Sequence, residues 1–362
     1  MAQRRILLTP GPLTTRPRTR RAMLKDWGSR EAPFIALTAE LRRRLLDVAQ
    51  AGEAFTAVPL QGSGTFIVEA ALSTLLGPSS KLLVLVNGAY GERMVRIAQR
   101  LGRTVAALTW PEHAAIAPAR VAEALGADPA VTHVAMVHCE TTTGLLNPLD
   151  EIAEVVARAG PALIVDAMSS FGALPIDLRR TPAAAVLASS NKCLEGAPGL
   201  GFAIVRQAEL GQAAGQSSSL SLDLHDQWRG FEANGQWRFT PPVQVVAALV
   251  EALRQLEAEG GPAARLARYA ENFRVLTEGM APLGFEPYLE PGLQSAVIAT
   301  FRPPRDRVFV FNDFYRALAD NGFVIYPGKL SQEETFRIGC IGAVGPRDFR
   351  RLVACVATLA AA

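Results

Sequence analysis

Cysteine is scarce. The 362 residues hold Cys139, Cys193, Cys340 and Cys355, far apart, with no C-x-x-C pair and no spacing to the four histidines that would hold a metal. A disulfide framework and a structural metal are therefore excluded, and a reducing compartment, the cytoplasm, is the expected location. Long apolar runs are missing as well: no stretch of about 18 uninterrupted apolar residues occurs, so no membrane-spanning helix is expected. Met1 to Leu8 lacks the apolar core of a signal peptide, and the alanine-rich stretch from Leu352 to Ala362 is too short to span and reads as a last helix. A dominant charge sign is the third absence. With 37 basic against 34 acidic residues, a formal net charge of +3, nucleic acid is not an expected partner. The cluster from Arg16 to Arg21 reads as a solvated surface.

Apolar residues are what the chain has in plenty, at 49%, enough to fill a large core. Through the first two thirds, short apolar runs alternate with helical spacing, the rhythm of an α/β fold with a mostly parallel sheet flanked by helices. Strands are predicted at Leu82 to Val86, Thr132 to Val137, Ala162 to Val165, Ala184 to Ala188 and Gly201 to Val205. Helices are predicted around Leu41, Leu45, Leu46 and Ala49, and over Ile152 to Ala159. Gly211 to Ser219 reads as a loop. After about Gly260 the rhythm changes. A helix over Ala263 to Leu283, strands near Ala296 to Phe301, Phe323 to Ile325 and Thr335 to Ile338, a helix over Phe309 to Asn321 and one from Pro346 onward form a smaller α+β unit. The expected division is 1–260 for the N-terminal segment and large domain, and 261–362 for the small domain.

Three segments carry chemistry. Gln61-Gly62-Ser63-Gly64-Thr65 directly precedes an apolar helix, where small residues, two hydroxyls and the positive end of the helix dipole suit a phosphate; a plain glycine-rich turn reads equally well. The G-x-G-x-x-G pattern of a dinucleotide site is missing. In Leu163 to Ser170 an apolar strand ends in Asp166, placed either to cap a helix or to pair with a protonated pyridine nitrogen. In Ala188-Ser189-Ser190-Asn191-Lys192 another strand ends close to a single lysine. Burial there would favour its neutral amine, the form that makes a Schiff base, whereas a surface lysine is the plain reading. Order decides between these readings: phosphate cradle, then His138 to Gly144 with its hydroxyls Thr141 to Thr143, then strand and Asp166, then strand and Lys192. Ligands of open α/β sheets bind beyond the carboxyl ends of the strands, so these four belong to one site. His138 reads as a packed strand-end residue, outside the chemistry.

On Leu8-Thr9-Pro10-Gly11-Pro12, Asn87-Gly88-Ala89-Tyr90-Gly91, His138 to Gly144, Val165 to Ser170 and Ser190-Asn191-Lys192, the chain resembles the class V aminotransferases of fold type I over nearly its whole length. The strings Leu60 to Gly64, Ser219 to Leu224, Trp237 to Thr240 and Gly322 to Lys329 are most similar to the branch that transaminates 2-aminoethylphosphonate with pyruvate. The resemblance implies pyridoxal 5'-phosphate as cofactor, a small-molecule amine and a 2-oxo acid as substrates, and a homodimer. It implies Lys192 as the residue that holds the cofactor covalently and Asp166 at its ring nitrogen. Ser63, Gly64 and Thr65 would surround the phosphate, Tyr90 would stack on the ring, and Thr141 and Ser189 would line the cofactor site. Thr240 would reach the neighbouring subunit's cofactor, and Arg337 would hold a substrate acid group, its alternative being a structural ion pair. Related branches use alanine or serine with glyoxylate or pyruvate. Desulfuration would need a reactive thiol, for which Cys340 is the candidate, and a silent binding protein on the same fold is the non-enzymatic alternative. Two positions depart from the branch: Ser218 stands where it has arginine, and Arg30 where it has an aromatic residue. Arg30 is the candidate replacement for the lost cation.

Overall fold

The computed structural model describes residues 5–306, 308–328 and 333–360. Met1 to Arg4, Lys329 and the last two residues of the predicted C-terminal helix lie outside them. In chain order the strands are β1 (Ile6–Leu7), β2 (Phe55–Gln61), β3 (Lys81–Val86), β4 (Thr104–Thr109), β5 (His133–Val137), β6 (Cys139–Glu140), β7 (Leu145–Leu146), β8 (Ala162–Asp166), β9 (Ala185–Ser189), β10 (Leu200–Arg206), β11 (Glu286–Pro287), β12 (Ile298–Arg302), β13 (Phe323–Val324), β14 (Tyr326–Pro327) and β15 (Phe336–Gly339).

The main sheet has seven strands in the order β2, β10, β9, β8, β5, β3, β4. Neighbours from β9 to β4 pair in parallel, while β10 pairs antiparallel with both β9 and β2. Only β10 therefore runs against the rest, and the carboxyl ends of β2, β3, β5, β8 and β9 share one edge. Helices cover both faces, so the inner strands are buried on either side and are written as continuous apolar runs such as Leu163-Ile164-Val165. The edge strand β4 holds the short run Val105-Ala106-Ala107-Leu108, two of its four residues alanine, and none of its residues is buried. Its partial exposure at the sheet edge sets it apart from the inner strands.

A second sheet, β11, β12, β15, β14, is antiparallel and closes its own core of Phe285, Phe301, Phe336, Ile338 and Phe349 against the Gly261–Met280 and Pro346–Ala360 helices. Strand β1 pairs in parallel with β13, and Ile6 and Leu8 are buried in this second core. The first residues thus pack with the C-terminal unit, although their place in the chain groups them with the large one. Their apolar side chains find an unpaired strand there, a tertiary match that local pattern does not carry.

Candidate active site

The parallel strands end at one cavity, as the switch of chain direction at a sheet edge requires. Its wall includes Ser63, Gly64, Thr65, Tyr90, Thr141, Asp166, Ser189 and Lys192, all named from the sequence, together with Gly11, Arg93, Met168 and Asn191. Ser63 precedes the Gly64–Leu75 helix in extended conformation and its hydroxyl makes no capping bond, so that hydroxyl and the first amides of the helix face the cavity without helical partners. A Cβ on Gly64 would lie 2.7 Å from Met168 Sδ, so a side chain there would have to displace the methionine. Tyr90 and Arg93 lie one turn apart on the Ala89–Arg100 helix, which follows β3.

Asp166 closes β8, is 3% exposed, and accepts the Met168 amide at 2.9 Å. No helix starts there, so the cap predicted as one alternative becomes a local turn. Burial pushes the carboxyl up to about 6, against the pull of the Met168 amide, Lys192 and Arg93. Lys192 follows β9, and its Nζ donates to the Pro10 carbonyl at 2.6 Å. Loss of hydration lowers its pKa to about 8, with Arg337 pushing the same way. Thr141 Oγ1 lies 2.6 Å from Ser169 Oγ, and the Thr141 carbonyl accepts Arg337 Nη1 at 3.0 Å. Arg337, 2% exposed on β15, also donates Nε to the Pro327 carbonyl at 3.1 Å. Its partners are carbonyls, and among the described residues no carboxylate pairs with it.

Thr240 is exposed and takes no part in the wall of this chain's cavity. Ser218 is tied to Ser73 in the last turn of the Gly64–Leu75 helix, with 3.3 Å between their hydroxyls, and Arg30 is exposed and likewise outside the wall. Arg30 therefore does not supply a cation to this chain's own cavity. His138 is buried, 3.0 Å from Ser170 Oγ through Nδ1, with its pKa lowered to about 4 by burial, which keeps it a neutral packing residue as read from the sequence. Cys340 is fully buried in the second core and burial raises its thiol pKa, so it offers no reactive sulfur. The sequence reading passed over Arg93 and Glu140. Arg93 had a signal, its one-turn spacing from Tyr90 on a helix. Glu140 is buried, accepts the Thr142 hydroxyl at 2.9 Å, and is pushed up to about 7 by burial.

A family model described as aminotransferase class-V matches residues 28–302. The chain belongs to the class V aminotransferases. Among curated relatives, 2-aminoethylphosphonate--pyruvate transaminase 2 of a Polaromonas species is 53% identical over 99% of this chain and 96% of its own. The 2-aminoethylphosphonate--pyruvate transaminase of Pseudomonas aeruginosa is 53% identical over 97% of this chain and 95% of its own. Of solved structures, alanine--glyoxylate aminotransferase from a Nostoc species superposes with a TM-score of 0.92 at 25% identity, covering 99% of this chain and 96% of its own. Pyridoxamine-pyruvate aminotransferase from Mesorhizobium loti gives 0.89 at 25% identity, covering 100% and 94%. The fold is that of the fold type I aminotransferases, an amine and a 2-oxo acid are the substrates of such an enzyme, and its cofactor is pyridoxal 5'-phosphate. The cavity fits this group. A carboxylate with one unclaimed oxygen, a lone amine of lowered pKa, and a cluster of uncapped helix amides and hydroxyls match a ring nitrogen, an aldehyde and a phosphate. Among the described residues, no helix is long and apolar enough to cross a membrane.

Proposed function

We propose that this class V aminotransferase takes the amino group of 2-aminoethylphosphonate and delivers it to pyruvate, giving phosphonoacetaldehyde and alanine. The substrate reading is carried by one observation, identity of 53% that runs through 99% of the chain to a transaminase of that name. Reaction type is supported by the convergence of Asp166, Lys192 and the Ser63 turn on one cavity.

When bound, pyridoxal phosphate supplies an electron sink for the pair of electrons left on the substrate carbon once its proton departs. Ser63, Gly64 and Thr65 would hold its phosphate through amides and hydroxyls. Tyr90, Thr141 and Ser189 would contact its ring, and Asp166 would keep a proton on the ring nitrogen. Lys192 anchors the cofactor through Nζ. Once the arriving amine frees it, it takes the proton from the carbon beside the substrate nitrogen. Arg337 orients the acid group of either substrate: two of its nitrogens are braced on the Pro327 and Thr141 carbonyls, so its remaining hydrogens are presented in a fixed fork. Water and the two substrates use the same cavity in turn, which makes the reaction two half-reactions at one site.

Thr240 completes the phosphate site of a neighbouring subunit in this reading. It is exposed on its own chain and lies next to the apolar, 40% exposed Phe239, with 75% exposed Leu220 close by on the Arg238 side chain. Such uncovered apolar side chains suit an interface between two copies. Four unpaired cysteines suit the cytoplasm. Absorbance of the cofactor-loaded protein, followed while 2-aminoethylphosphonate, alanine and serine are added singly, tests the substrate. Conversion of the cofactor to its aminated form by the phosphonate, reversed by pyruvate, is expected. Conversion by alanine or serine but not by the phosphonate would move the chain to a neighbouring branch.

A further inference from the structure

Only two cations, Lys192 and Arg93, line the cavity among the described residues. Lys192 is accounted for by its amine chemistry. Arg93 is not accounted for by any structural pairing. Its Nη1 donates to Thr65 Oγ1 at 3.3 Å, its guanidinium carbon lies 4.7 Å from the centre of the Tyr90 ring, and among the described residues no carboxylate forms an ion pair with it. A half-buried guanidinium held by a hydroxyl and a ring face retains most of its hydrogen-bonding capacity and all of its charge.

Position decides what that charge serves. Thr65 belongs to the uncapped helix start, whereas Arg337, the other guanidinium near Tyr90, is fastened to the Thr141 and Pro327 carbonyls. The helix start offers a phosphate dianion only partial charge from amides and dipole, roughly half a unit. Among the described residues, no other formal cation stands at that end of the cavity. We infer that Arg93 is the counter-charge of the cofactor's phosphate, binding it beside Thr65 while its other face steadies the Tyr90 ring. This rests on the pyridoxal phosphate reading of the cavity, and it adds a residue of this chain to the phosphate site.

The test compares two ligands that differ only in the phosphate. Cofactor-free wild-type, R93Q and R93K proteins are titrated with pyridoxal phosphate and with phosphate-free pyridoxal by fluorescence, with inorganic phosphate as a competitor. R93Q is expected to lose about tenfold or more in affinity for pyridoxal phosphate, the scale of one charge-assisted hydrogen bond, while pyridoxal affinity stays within about twofold. R93K, which keeps charge without the planar fork, recovers part of the loss, and inorganic phosphate competes less well against R93Q than against wild type. Equal weakening of both ligands would mean that Arg93 acts only by supporting Tyr90, and the inference falls. An unchanged ratio with a raised KM for 2-aminoethylphosphonate would assign Arg93 to the substrate instead, and the inference falls as well. Should R93Q fail to fold, Arg93→Met keeps the apolar stem on Tyr90 and the same ratio decides. Wild-type protein that captures no pyridoxal phosphate would overturn the cofactor reading itself, an outcome distinct from all of these because no amine substrate enters the titration.

Discussion

At Asp166 the cofactor-free protein keeps a carboxyl out of water with a single amide to satisfy it, and its pKa stands at about 6 instead of 3.8. A carboxyl whose pKa is higher folded than unfolded favours folding while protonated, and that contribution disappears as pH rises through about 6. Asp166→Asn should therefore stabilise the cofactor-free protein at pH 8, by up to about 3 kcal/mol, with a smaller gain at pH 5, while abolishing transamination. Denaturant titrations at the two pH values check this, and an equal effect at both would count against it. Lys192 works in the opposite direction. Its amine is lowered from 10.5 to about 8, so the rate at which cofactor-free protein captures pyridoxal phosphate should climb as pH passes through 8 and level off above it. Stopped-flow absorbance measures that limb. Arg337→Ala removes the fork proposed to hold the acid group, together with its contacts to the Thr141 and Pro327 carbonyls. KM for pyruvate should rise by about tenfold to a hundredfold, as loss of a bidentate charge-assisted contact implies, and an unchanged KM would remove Arg337 from the substrate site.

One level up, the segment from Leu8 to Thr14 behaves as a strap between the two sheets. Its Leu8 carbonyl accepts the Gly339 amide at 2.8 Å, its Pro10 carbonyl accepts Lys192 Nζ at 2.6 Å, and its Thr14 carbonyl accepts the Ala343 amide at 2.7 Å. Glycine on either side makes the close approach possible. A Cβ on Gly339 would sit 2.3 Å from the Thr9 carbonyl oxygen, and one on Gly11, at φ +126°, would sit 2.8 Å from Lys192 Cδ. Gly339→Ala should push the strap off β15 at a cost of about 1–3 kcal/mol and weaken cofactor capture, because the carbonyl that holds Lys192 moves with it. Thermal unfolding and cofactor titration together check the claim: lost stability with unchanged capture would uncouple the strap from the lysine. The motif Leu8 to Pro12 was visible in the sequence, but its contacts were not, since they reach residues 182 positions away in the case of Pro10 and Lys192.

For the molecule as a whole, the exposed apolar side chains Leu220 and Phe239 beside Thr240 are expected to be covered in a homodimer. Phe239→Asp would place a charge in that interface, giving a monomer by sedimentation velocity and, in the proposed reading where Thr240 completes the neighbour's phosphate site, a lower affinity for pyridoxal phosphate. A variant that stays dimeric with full affinity would place the interface elsewhere. The same scale explains why one chain holds two larger sheets. The main sheet builds the cavity edge, while the antiparallel sheet brings Arg337 to that edge through the Thr141 carbonyl.

The sequence by itself determined the α/β class, because inner parallel strands buried on both faces must be written as unbroken apolar runs, and it determined most of the cavity, because strand-end residues of such a sheet share one edge. Asp166, Lys192, the Thr141 to Thr143 hydroxyls and the Ser63 turn were legible on that ground, whereas Tyr90 and Ser189 came only from the resemblance to the class V aminotransferases. Only the tertiary structure decided the rest. Strands β1 and β4 are set by what lies beside them, β1 being two residues long and β4 half exposed at the sheet edge, and the direction of β10 leaves no mark in residue order. Arg93 shows as an unpaired cation only once its surroundings are known. The surroundings of Arg337, two backbone carbonyls with no carboxylate paired to it among the described residues, were hidden in the same way, because a buried charge meets neighbours that the chain supplies from far away.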